Sequence, residues 1–382
     1  MILENLVCEN FRNIESQKIG FSDGINVLYG HNAAGKTNVL EALYFFSCAK
    51  SFRIRSENEL IRHGQSFAHI GIEFQTKDKR KARMDVNFAK GERKAVKLMK
   101  YNGIDISKSS EFVGLFKAVL FTPDHLNLIK GGPEQRRNFV DMAISQMQPK
   151  YISYLNEYSR FLNQRNAFLR NCNATGSFDR NLFEVINEKL AYCAAMVSKQ
   201  RSGFCKLLNQ TAQKTYSGIS GGSERLFIKY CSNSKCSGED VSQTAERYLK
   251  LFCDSKESDI KQTVTHNGAH RDDLQIYVGK EQTDDEDYIA KSFASQGQIR
   301  SCVLAIKLSE GEIIKSITGT YPIFLLDDLF SELDNKRTSY LLEALSGHQV
   351  VITACDKHCF NSFDVNTIRV DNGTYFPERK QI

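Results

Sequence analysis

Apolar and polar residues alternate over the first 29 positions of the chain, for example in "ILENLVCENF", and this stretch ends in the run "INVLYG". Alternation with a period of two is typical of strands that bury one face. The next segment, "TNVLEALYFFSCAK", instead places its apolar residues at helical spacing. The pattern predicts short strands, then a loop at residues 30 to 37, then a helix.

The same alternation returns between residues 66 and 106, in "AHIGIEFQT", "RMDVNFAK" and "AVKLMKYNGIDI". Charged and turn-forming residues separate these segments. The region is therefore predicted to form a β meander.

A helical block begins near Pro133, with apolar residues every three or four positions between Tyr151 and Leu169. The segment "NCNATGSFDRN" interrupts this stripe, and a second helix is predicted from about Leu182 to Gln213. Glycine and serine in "SGISGGS" end the helix pair. A third helical pattern, "TAERYLKLFC", follows.

The strand period returns in "THNGAHRDDLQIYVG". The last hundred residues then have the patterns of a helix, a strand "YPIFLLDD", a helix and a strand "HQVVITA". This order predicts an α/β unit whose two halves in sequence, residues 1–125 and 265–382, flank a mostly helical insert at 126–264.

The composition of the 382-residue chain is ordinary for a globular protein, with 41% hydrophobic and 25% charged residues. Its apolar runs are far shorter than the roughly 18 residues of a membrane-spanning helix. Its first residues lack the basic segment of a secretion signal. We therefore expect a cytoplasmic protein with no membrane partner. The formal net charge of +6 is compatible with a nucleic-acid partner but does not require one.

The loop between the first predicted strands and the helix has the letters "GHNAAGKT", the pattern of a phosphate-binding loop. Its two glycines let the backbone turn so that successive N–H groups face phosphate oxygens, and the helix adds its positive end. Lys36 supplies a cation, and the hydroxyl of Thr37 is a ligand for Mg²⁺. The residues predicted to bind the nucleotide are Gly30, His31, Asn32, Ala33, Ala34, Gly35, Lys36 and Thr37.

Two adjacent acids follow a buried strand in "YPIFLLDDLFSELD". Asp327, at the carboxyl end of the predicted strand, is placed to reach the shell of a bound Mg²⁺. Asp328 suits a base that positions an attacking water. An acidic helix cap gives the same letters, but the phosphate loop elsewhere in the chain favours the metal site.

A third candidate motif lies in "FASQGQIRSCVLAIKL". Ser295 and Gly297 directly precede a strong apolar helix pattern, and a helix amino end with these residues suits an anion. Any N-capped helix looks similar, so the motif is weak by itself. It gains meaning from its place between the phosphate loop and the acidic strand.

The order of these three motifs resembles that of an ATP-binding-cassette (ABC) ATPase head. The long, partly helical stretch between Thr37 and Ser295 is unlike a transporter cassette and resembles the chromosome-maintenance and DNA-repair branch. Two long segments, "PDHLNLIKGGPEQRRNFVD" and "LLDDLFSELDNKRTSYL", are similar to the RecF family of bacterial recombination mediators, as are "NFRN" and "GAHRDDL".

The resemblance implies an α/β fold class, an ABC-type P-loop ATPase head at 1–125 and 265–382 with a mostly helical arm domain at 126–264. It implies a protein that binds ATP with Mg²⁺, forms a homodimer on ATP, and binds DNA, single-stranded or as a gapped duplex. Such a protein acts with RecO and RecR partners at single-strand gaps and helps load the recombinase.

The resemblance also implies roles for single residues. Lys36 and Thr37 grip phosphate and metal, and Asp327 holds Mg²⁺ through water. Lys36 and Asp328 stand in catalytic positions, and Arg12 in "NFRN" lies near the ATP. The signature residues, which act on the nucleotide of a partner copy, are Ser295, Gln296, Gly297 and Gln298.

Some positions depart from the ABC pattern. Ala354 and Cys355 stand where ABC enzymes usually carry a histidine after the last core strand. The Pro123–Asp124 region replaces a metal-sensing glutamine, and Asp328 stands where many relatives have glutamate. We therefore expect slow ATP hydrolysis that times a conformational switch.

Clusters of cations are candidates for contact with DNA phosphates. Two clusters lie at 77–83 and 90–100, and the first is equally well explained as a solvated hairpin tip. Others lie in the arm, where a packing role is an alternative for the pair at a helix start. The arm candidates lie in the stretch from Arg136 to Arg170, which includes Arg137, Arg160 and Arg165.

Three other functions remain open at this point. One is a different repair ATPase head of the same superfamily. Another is a P-loop kinase for a small molecule, in which "SQGQ" merely caps a helix. A scaffold with a decayed site is disfavoured because Lys36, Thr37, Asp327 and Asp328 are all present.

Overall fold

The structure is a computed structural model that describes residues 1–54, 56–232, 240–280, 288–357, 360 and 363–378, with the backbone alone at 280, 332 and 335. The strands assigned in these residues are β1 Ile2–Phe11, β2 Ile14–Gly20, β3 Ile25–Tyr29, β4 Phe67–Gln75, β5 Lys81–Ala89, β6 Val96–Tyr101, β7 Ile104–Ile106, β8 Ala118–Phe121, β9 Glu224–Cys231, β10 Asp273–Lys280, β11 Tyr288–Ile289, β12 Ile323–Asp327, β13 Val350–Ala354, β14 Val365–Asp371 and β15 Thr374–Glu378.

The α-helices assigned in the same residues are α1 Lys36–Cys48, α2 Ser109–Phe112, α3 Asn127–Lys130, α4 Pro133–Met147, α5 Lys150–Thr175, α6 Arg180–Ser220, α7 Val241–Asp254, α8 Lys256–Gln262, α9 Ala290–Phe293, α10 Gln296–Thr318 and α11 Asn335–Ala344. No helix in this part of the chain is both long and apolar enough to cross a membrane.

The chain packs as two compact units, residues 1–126 with 303–382 and residues 127–302. The border at 302/303 falls within α10. The predicted ATPase head also included residues 265–302, which pack with the second unit. The boundaries of the predicted head, 1–125 and 265–382, follow from the positions of its sequence motifs, and they stay a prediction.

A six-stranded sheet in the first unit has the order β15-β14-β3-β13-β12-β8. All neighbours are parallel except β14 and β15, which are antiparallel. The central strands read as continuous apolar runs such as "IFLL", because parallel strands are covered on both faces. The carboxyl ends of β3, β12 and β13 therefore meet at one edge.

The second sheet of the first unit is antiparallel, with the order β2-β1-β4-β5-β6-β7. Its strands β4 to β7 confirm the predicted meander. Buried and exposed positions alternate along β5, as expected of a sheet with one face on the core. Helix α1 contacts β8, β12 and β13, and its Phe45 meets Phe88 of β5 edge to face at 5.2 Å.

The second unit contains the predicted helix pair as α5 and α6. Gly176, at φ 70°, ends α5, and the Asp179 side chain accepts the Leu182 N–H at the start of α6. Between them the aromatic rings of Phe168 and Phe183 pack in a small core. This unit also holds a three-stranded sheet in the order β11-β10-β9, so the insert is not purely helical.

Two of the arm arginines proposed for DNA contact are instead part of the core of the second unit. Arg165 is fully buried and forms an ion pair with buried Asp259, Nη1 to Oδ2, at 2.7 Å. Arg136 is 7% exposed and contacts Asp273 through two hydrogen bonds of 2.7 and 2.9 Å. The DNA prediction is wrong for Arg165, because its charge is satisfied by a buried carboxylate. The packing alternative fits Arg136, whose partner Asp273 is half-buried.

The other two arm arginines differ. Arg137 is half-buried and donates from Nη1 to the carbonyl oxygen of Asp272 at 2.7 Å. Arg160 is exposed, with its guanidinium 4.6 Å from the ring centre of Phe161. The packing alternative therefore fits Arg137, and Arg160 keeps an exposed charge.

Candidate functional site

The loop from residue 30 to 37 connects β3 to α1, as predicted. Gly30 has φ 153°, and a Cβ there would lie 2.2 Å from the carbonyl oxygen of Val370 in β14. Gly35 has φ 110°, and a Cβ there would lie 2.7 Å from Oδ1 of Asn13. Both positions therefore require glycine. The ammonium of Lys36 donates to the carbonyl oxygens of Gly30 and His31 at 2.6 and 2.9 Å.

Residues outside this loop donate hydrogen bonds to the carbonyl oxygens of Ala34 and Gly35. Asn13 Nδ2 and the Gly373 N–H both donate to the carbonyl oxygen of Ala34, at 3.2 and 2.8 Å. The Tyr375 hydroxyl donates to the carbonyl oxygen of Gly35 at 2.9 Å. The first N–H groups of a helix have no partner within the helix. The carbonyl oxygens of the loop are engaged by hydrogen bonds, and the N–H groups at the start of the helix are available to a ligand. This is the arrangement of an anion-binding site.

The acidic strand meets the loop at the edge of the parallel sheet. Asp327 ends β12, and its Oδ1 accepts hydrogen bonds from the hydroxyls of Thr37 and Thr353, both at 2.8 Å. Burial raises the pKa of Asp327, while these hydrogen bonds act in the opposite direction. The structure thus brings together Lys36 and Thr37 of the loop with the first of the two predicted acids.

The second acid has an unusual backbone. Asp328 has φ 46°, in the left-handed region, and its N–H donates to the hydroxyl oxygen of Thr353 at 2.9 Å. Its side chain is half-buried. Asp328 therefore does not continue the extended conformation of β12, which ends at Asp327.

The donor set fits Mg²⁺. The Thr37 hydroxyl and the Asp327 carboxylate are hard oxygen donors, which Mg²⁺ prefers. Among the described residues there is no group of three or more His, Cys, Asp or Glu side chains that could hold a metal. A small set of protein ligands is typical of Mg²⁺ sites, because water and phosphate oxygens usually complete the coordination.

A polar cavity of about 770 Å³ lies beside the loop. The predicted residue Arg12 lines it, and both Nε and Nη2 of Arg12 contact the buried carboxylate of Glu41 at 2.8 and 2.7 Å. Other lining residues carry amides and cations, among them Asn13, Asn38, Arg53, Arg62 and Lys90. Asn38 directly follows Thr37, so the cavity borders the helix start.

The serine motif lies in the second unit, at the start of α10. Ser295 is exposed, its Oγ accepts the Gln298 N–H at 3.2 Å, and Oε1 of Gln298 accepts the Ser295 N–H at 2.8 Å. This reciprocal pair is a capping box. Gln296 is exposed and Gly297 is half-buried in the same turn. The helix-cap interpretation is therefore satisfied, and the action of this motif on a partner's nucleotide stays a prediction.

The family model described as "RecF/RecN/SMC N terminal domain" matches residues 2–374. The DNA replication and repair protein RecF of Geobacillus thermodenitrificans is 38% identical over 346 residues, which cover 90% of each chain. The chain belongs to the RecF family. RecF of Bacillus subtilis is 37% identical over 348 residues, 91% of each chain.

Solved RecF structures have the same fold. A structure described as the recombination mediator protein RecF-ATP in the RecFOR pathway has a TM-score of 0.90 at 30% identity. A structure described as RecF-ATPrS has a TM-score of 0.90 at 31% identity, and each comparison covers 99% of this chain and 98% of the other. The predicted fold class is confirmed: an ABC-type P-loop ATPase head with a mostly helical insert.

The departures from the ABC pattern have defined places in this RecF-family chain. Cys355 is exposed, and its Sγ lies 3.3 Å from Oδ1 of Asn32 in the phosphate loop. Asp124 is exposed just after β8, the sheet neighbour of β12. Nearby, burial lowers the pKa of His125, helped by the charge of Lys307. Ala354 and Cys355 in place of the ABC histidine, and the Pro123–Asp124 region in place of the metal-sensing glutamine, stay predictions.

Sequence reasoning missed several residues of this site. Thr353 could have been found, since it is a polar residue near the end of the buried run "VVITA", as Asp327 is in its own strand. Asn13 belongs to "NFRN", in which only Arg12 has an expected role. No pattern in the sequence pointed to Arg53 or Tyr375, which reach the site through the tertiary fold.

Proposed function

We propose that the chain is an ATP-dependent, DNA-binding recombination mediator of the cytoplasm. Two copies join when ATP binds, hold DNA at single-strand gaps and help load the recombinase. Hydrolysis is slow and separates the copies. The observation that carries the proposal is the meeting of Lys36, Thr37 and Asp327 at one edge of the parallel sheet, in a chain of the RecF family.

ATP binding rests on the loop and its surroundings. Phosphate oxygens compete with the carbonyl groups of Gly30 and His31 for the protons of Lys36, and N–H groups of the loop add further donors. Thr37 and Asp327 would hold Mg²⁺, which neutralises phosphate charge when bound. The cavity lined by Arg12 and Asn38 is the proposed place of the ribose and base.

Hydrolysis needs a group that orients water, and Asp328 is the proposed one. Aspartate is one methylene shorter than the glutamate of many ABC heads, and the histidine position carries Cys355. Both departures favour a weak ATPase that acts as a timer for the conformational switch rather than a fast enzyme.

Dimer formation rests on the serine motif. Ser295 is exposed at the amino end of the 23-residue helix α10, where the helix dipole adds positive potential. In the proposed dimer, Ser295, Gln296, Gly297 and Gln298 close over the ATP held by the partner copy. ATP then favours the dimer only by as much as it prefers the dimer over the single chain.

DNA binding rests on exposed cations of the first unit. The turn between β4 and β5 exposes Lys77, Lys79, Arg80 and Lys81 against a single acid, Asp78. Such a surface suits the phosphate backbone of DNA, single-stranded or gapped, without sequence readout.

The partner proteins follow from the relatives. The relative from Geobacillus thermodenitrificans is a DNA replication and repair protein, and one of the similar structures is a recombination mediator of the RecFOR pathway. We therefore extend RecO-type and RecR-type partners to this chain. A different SMC-like repair head is the remaining alternative within the superfamily, and it predicts no preference for gaps.

The experiment that tests the nucleotide claim is titration of a fluorescent ATP analogue into the native chain and Lys36→Ala, with Mg²⁺. Native binding should disappear in Lys36→Ala, while a matched exposed change, Lys199→Ala on α6, should leave it intact. The small-molecule kinase alternative predicts fast turnover with an acceptor by a chain that stays monomeric. Fast turnover of that kind would overturn the switch.

A further inference from the structure

Thr353 lies near the carboxyl end of β13 and is 1% exposed. Its hydroxyl donates to Oδ1 of Asp327 at 2.8 Å and accepts the backbone N–H of Asp328 at 2.9 Å. One buried side chain therefore contacts both members of the acidic pair, and it lies outside the phosphate loop, the acidic strand and the serine motif.

The two hydrogen bonds use different parts of the hydroxyl group. A threonine hydroxyl has one proton to donate and lone pairs to accept with. The proton goes to Asp327, and a lone pair receives the N–H of Asp328. Because the threonine side chain is branched at Cβ, its first torsion is restricted, so the hydroxyl is held in one place.

The backbone that carries Thr353 is fixed on both sides. β13 pairs in parallel with β12, where Thr353 lies opposite Asp327, and with β3, where it lies opposite Leu28. β3 leads directly into the phosphate loop. Thr353 thus occupies the strand between the two elements that carry the proposed ATP and metal residues.

The backbone of Asp328 has an unfavourable conformation that requires a stabilising contact. Its φ of 46° lies in the left-handed region, which residues with a Cβ seldom adopt. The hydrogen bond from its N–H to Thr353 holds the peptide in that conformation. Asp327 is also oriented, since Thr37 and Thr353 both donate to its Oδ1, so its carboxylate would meet the water shell of a bound Mg²⁺ in a fixed orientation.

We propose that Thr353 is a positioning residue that sets the geometry of Asp327 and Asp328 together for hydrolysis of ATP. The inference rests on the proposed ATPase function and deepens it. In this role Thr353 acts through the two acids that it contacts rather than on ATP itself. Its loss should affect metal use and the chemical step more than the grip on phosphate, which belongs to the loop.

The test compares Thr353→Val, which keeps the branched shape without a hydroxyl, with Thr353→Ser, which keeps the hydroxyl. Single-turnover hydrolysis should slow by about tenfold or more in Thr353→Val, as is typical when a hydrogen-bond partner of a metal ligand is lost. The Mg²⁺ concentration needed for half-maximal hydrolysis should rise in the same variant. Binding of a fluorescent ATP analogue should stay within about threefold of native, and Thr353→Ser should recover most of the rate.

Two controls keep the outcome clear. Thr244→Val removes a hydroxyl from another 1%-exposed threonine, whose Oγ1 donates to the Asp240 carbonyl oxygen in the second unit, and should hydrolyse ATP at the native rate. Thr353→Ala repeats the test without added bulk where Thr353→Val fails to fold.

Native rates in Thr353→Val would overturn the inference, as would equal losses in Thr353→Ser and Thr353→Val, since the hydroxyl would then have no special part. Failure of the proposed function looks different. In that case the native chain itself would neither bind nor hydrolyse ATP.

Discussion

The Thr37 hydroxyl donates a hydrogen bond to Oδ1 of Asp327 at 2.8 Å, although 290 positions separate the two residues in the chain. Thr37 lies in the first turn of α1, which follows β3 through the phosphate loop, and Asp327 ends β12. Both strands belong to the parallel sheet, with β13 between them. Parallel strands bring their carboxyl ends to one edge, so the topology produces this contact, and ligands bind at such edges.

Asp327→Asn should separate stability from function. Burial raises the pKa of Asp327 despite its hydrogen bonds from Thr37 and Thr353, so the charged form is held at a cost in stability. The variant without nucleotide should have an unchanged or higher Tm. The rise in Tm that ATP with Mg²⁺ gives the native chain should disappear.

Thermal unfolding with and without ATP and Mg²⁺ measures both effects. Asp105→Asn, at an exposed site on β7, is the control and should keep the full rise in Tm. A lower Tm of nucleotide-free Asp327→Asn would contradict the account, because the carboxylate would then be a net contributor to stability.

Arg165→Met should strongly destabilise the second unit. The substitution leaves Asp259 buried without the charge of its ion-pair partner, a loss that costs about 3–5 kcal/mol in comparable buried pairs. Arg160→Met, at an exposed position of the same helix, should change the free energy of unfolding by less than about 0.5 kcal/mol. Urea unfolding followed by circular dichroism compares the two. Equal stability of both variants would mean that Arg165 is not the core residue described here.

His270 should make stability depend on pH. Its Nδ1 lies 2.6 Å from the Tyr158 hydroxyl and its Nε2 lies 3.0 Å from the Thr265 carbonyl oxygen, which suits a neutral ring. Burial, with nearby arginines, lowers the pKa of His270 from 6.5 to about 4. The unfolded chain therefore binds a proton at this histidine near pH 6.5, whereas the folded chain binds it only near pH 4.

The stabilisation by neutral His270 is thus complete above pH 6.5 and is lost as the pH falls towards 4. The slope contributed by this group is at most about 1.4 kcal/mol per pH unit. His270→Gln, which has no titrating ring, should show a shallower fall in the free energy of unfolding across that window. Identical pH profiles of native and variant chains would show that His270 titrates normally.

Cations of the β4–β5 turn should set the salt dependence of DNA binding. Each phosphate contact to duplex DNA contributes about 0.9 to the slope of log affinity against log salt, so removal of three should lower the slope by roughly 2.7. Fluorescence anisotropy with a gapped duplex, ATP and Mg²⁺ measures this for the glutamine triple variant of Lys77, Lys79 and Lys81. A matched triple variant on the exposed side of α6 replaces Lys189, Lys199 and Lys214. A larger fall of this slope in the α6 variant would contradict the prediction and would indicate that DNA binds to the arm.

The phosphate loop and acidic strand could be predicted because their signals are local. An apolar run that ends in Asp327, and a glycine pattern between a strand and a helix, each fit within a few residues. The meander and the helix pair also have clear periods. These parts of the fold needed no knowledge of distant contacts.

Other features depend on contacts that no local pattern carries. β14 and β15 were not predicted, yet Val370 of β14 is what leaves no room for a Cβ at Gly30. Arginine is usually exposed, so Arg165 was assigned to the surface, and only the fold pairs it with Asp259. The place of Thr353 near the end of a buried run is a local signal, but its partner Asp327 follows only from the parallel pairing of β13 with β12.

The central claim is that ATP joins two copies through Ser295, and the most direct measurement is the mass of the protein in solution with and without ATP and Mg²⁺. Light scattering of the native chain should show a doubled mass with ATP and Mg²⁺ and a single mass without them. Ser295→Arg, which places a long cation at the proposed contact, should stay single while still binding ATP. A native chain that stays single while binding ATP, or a Ser295→Arg chain that doubles as fully as the native one, would contradict the account.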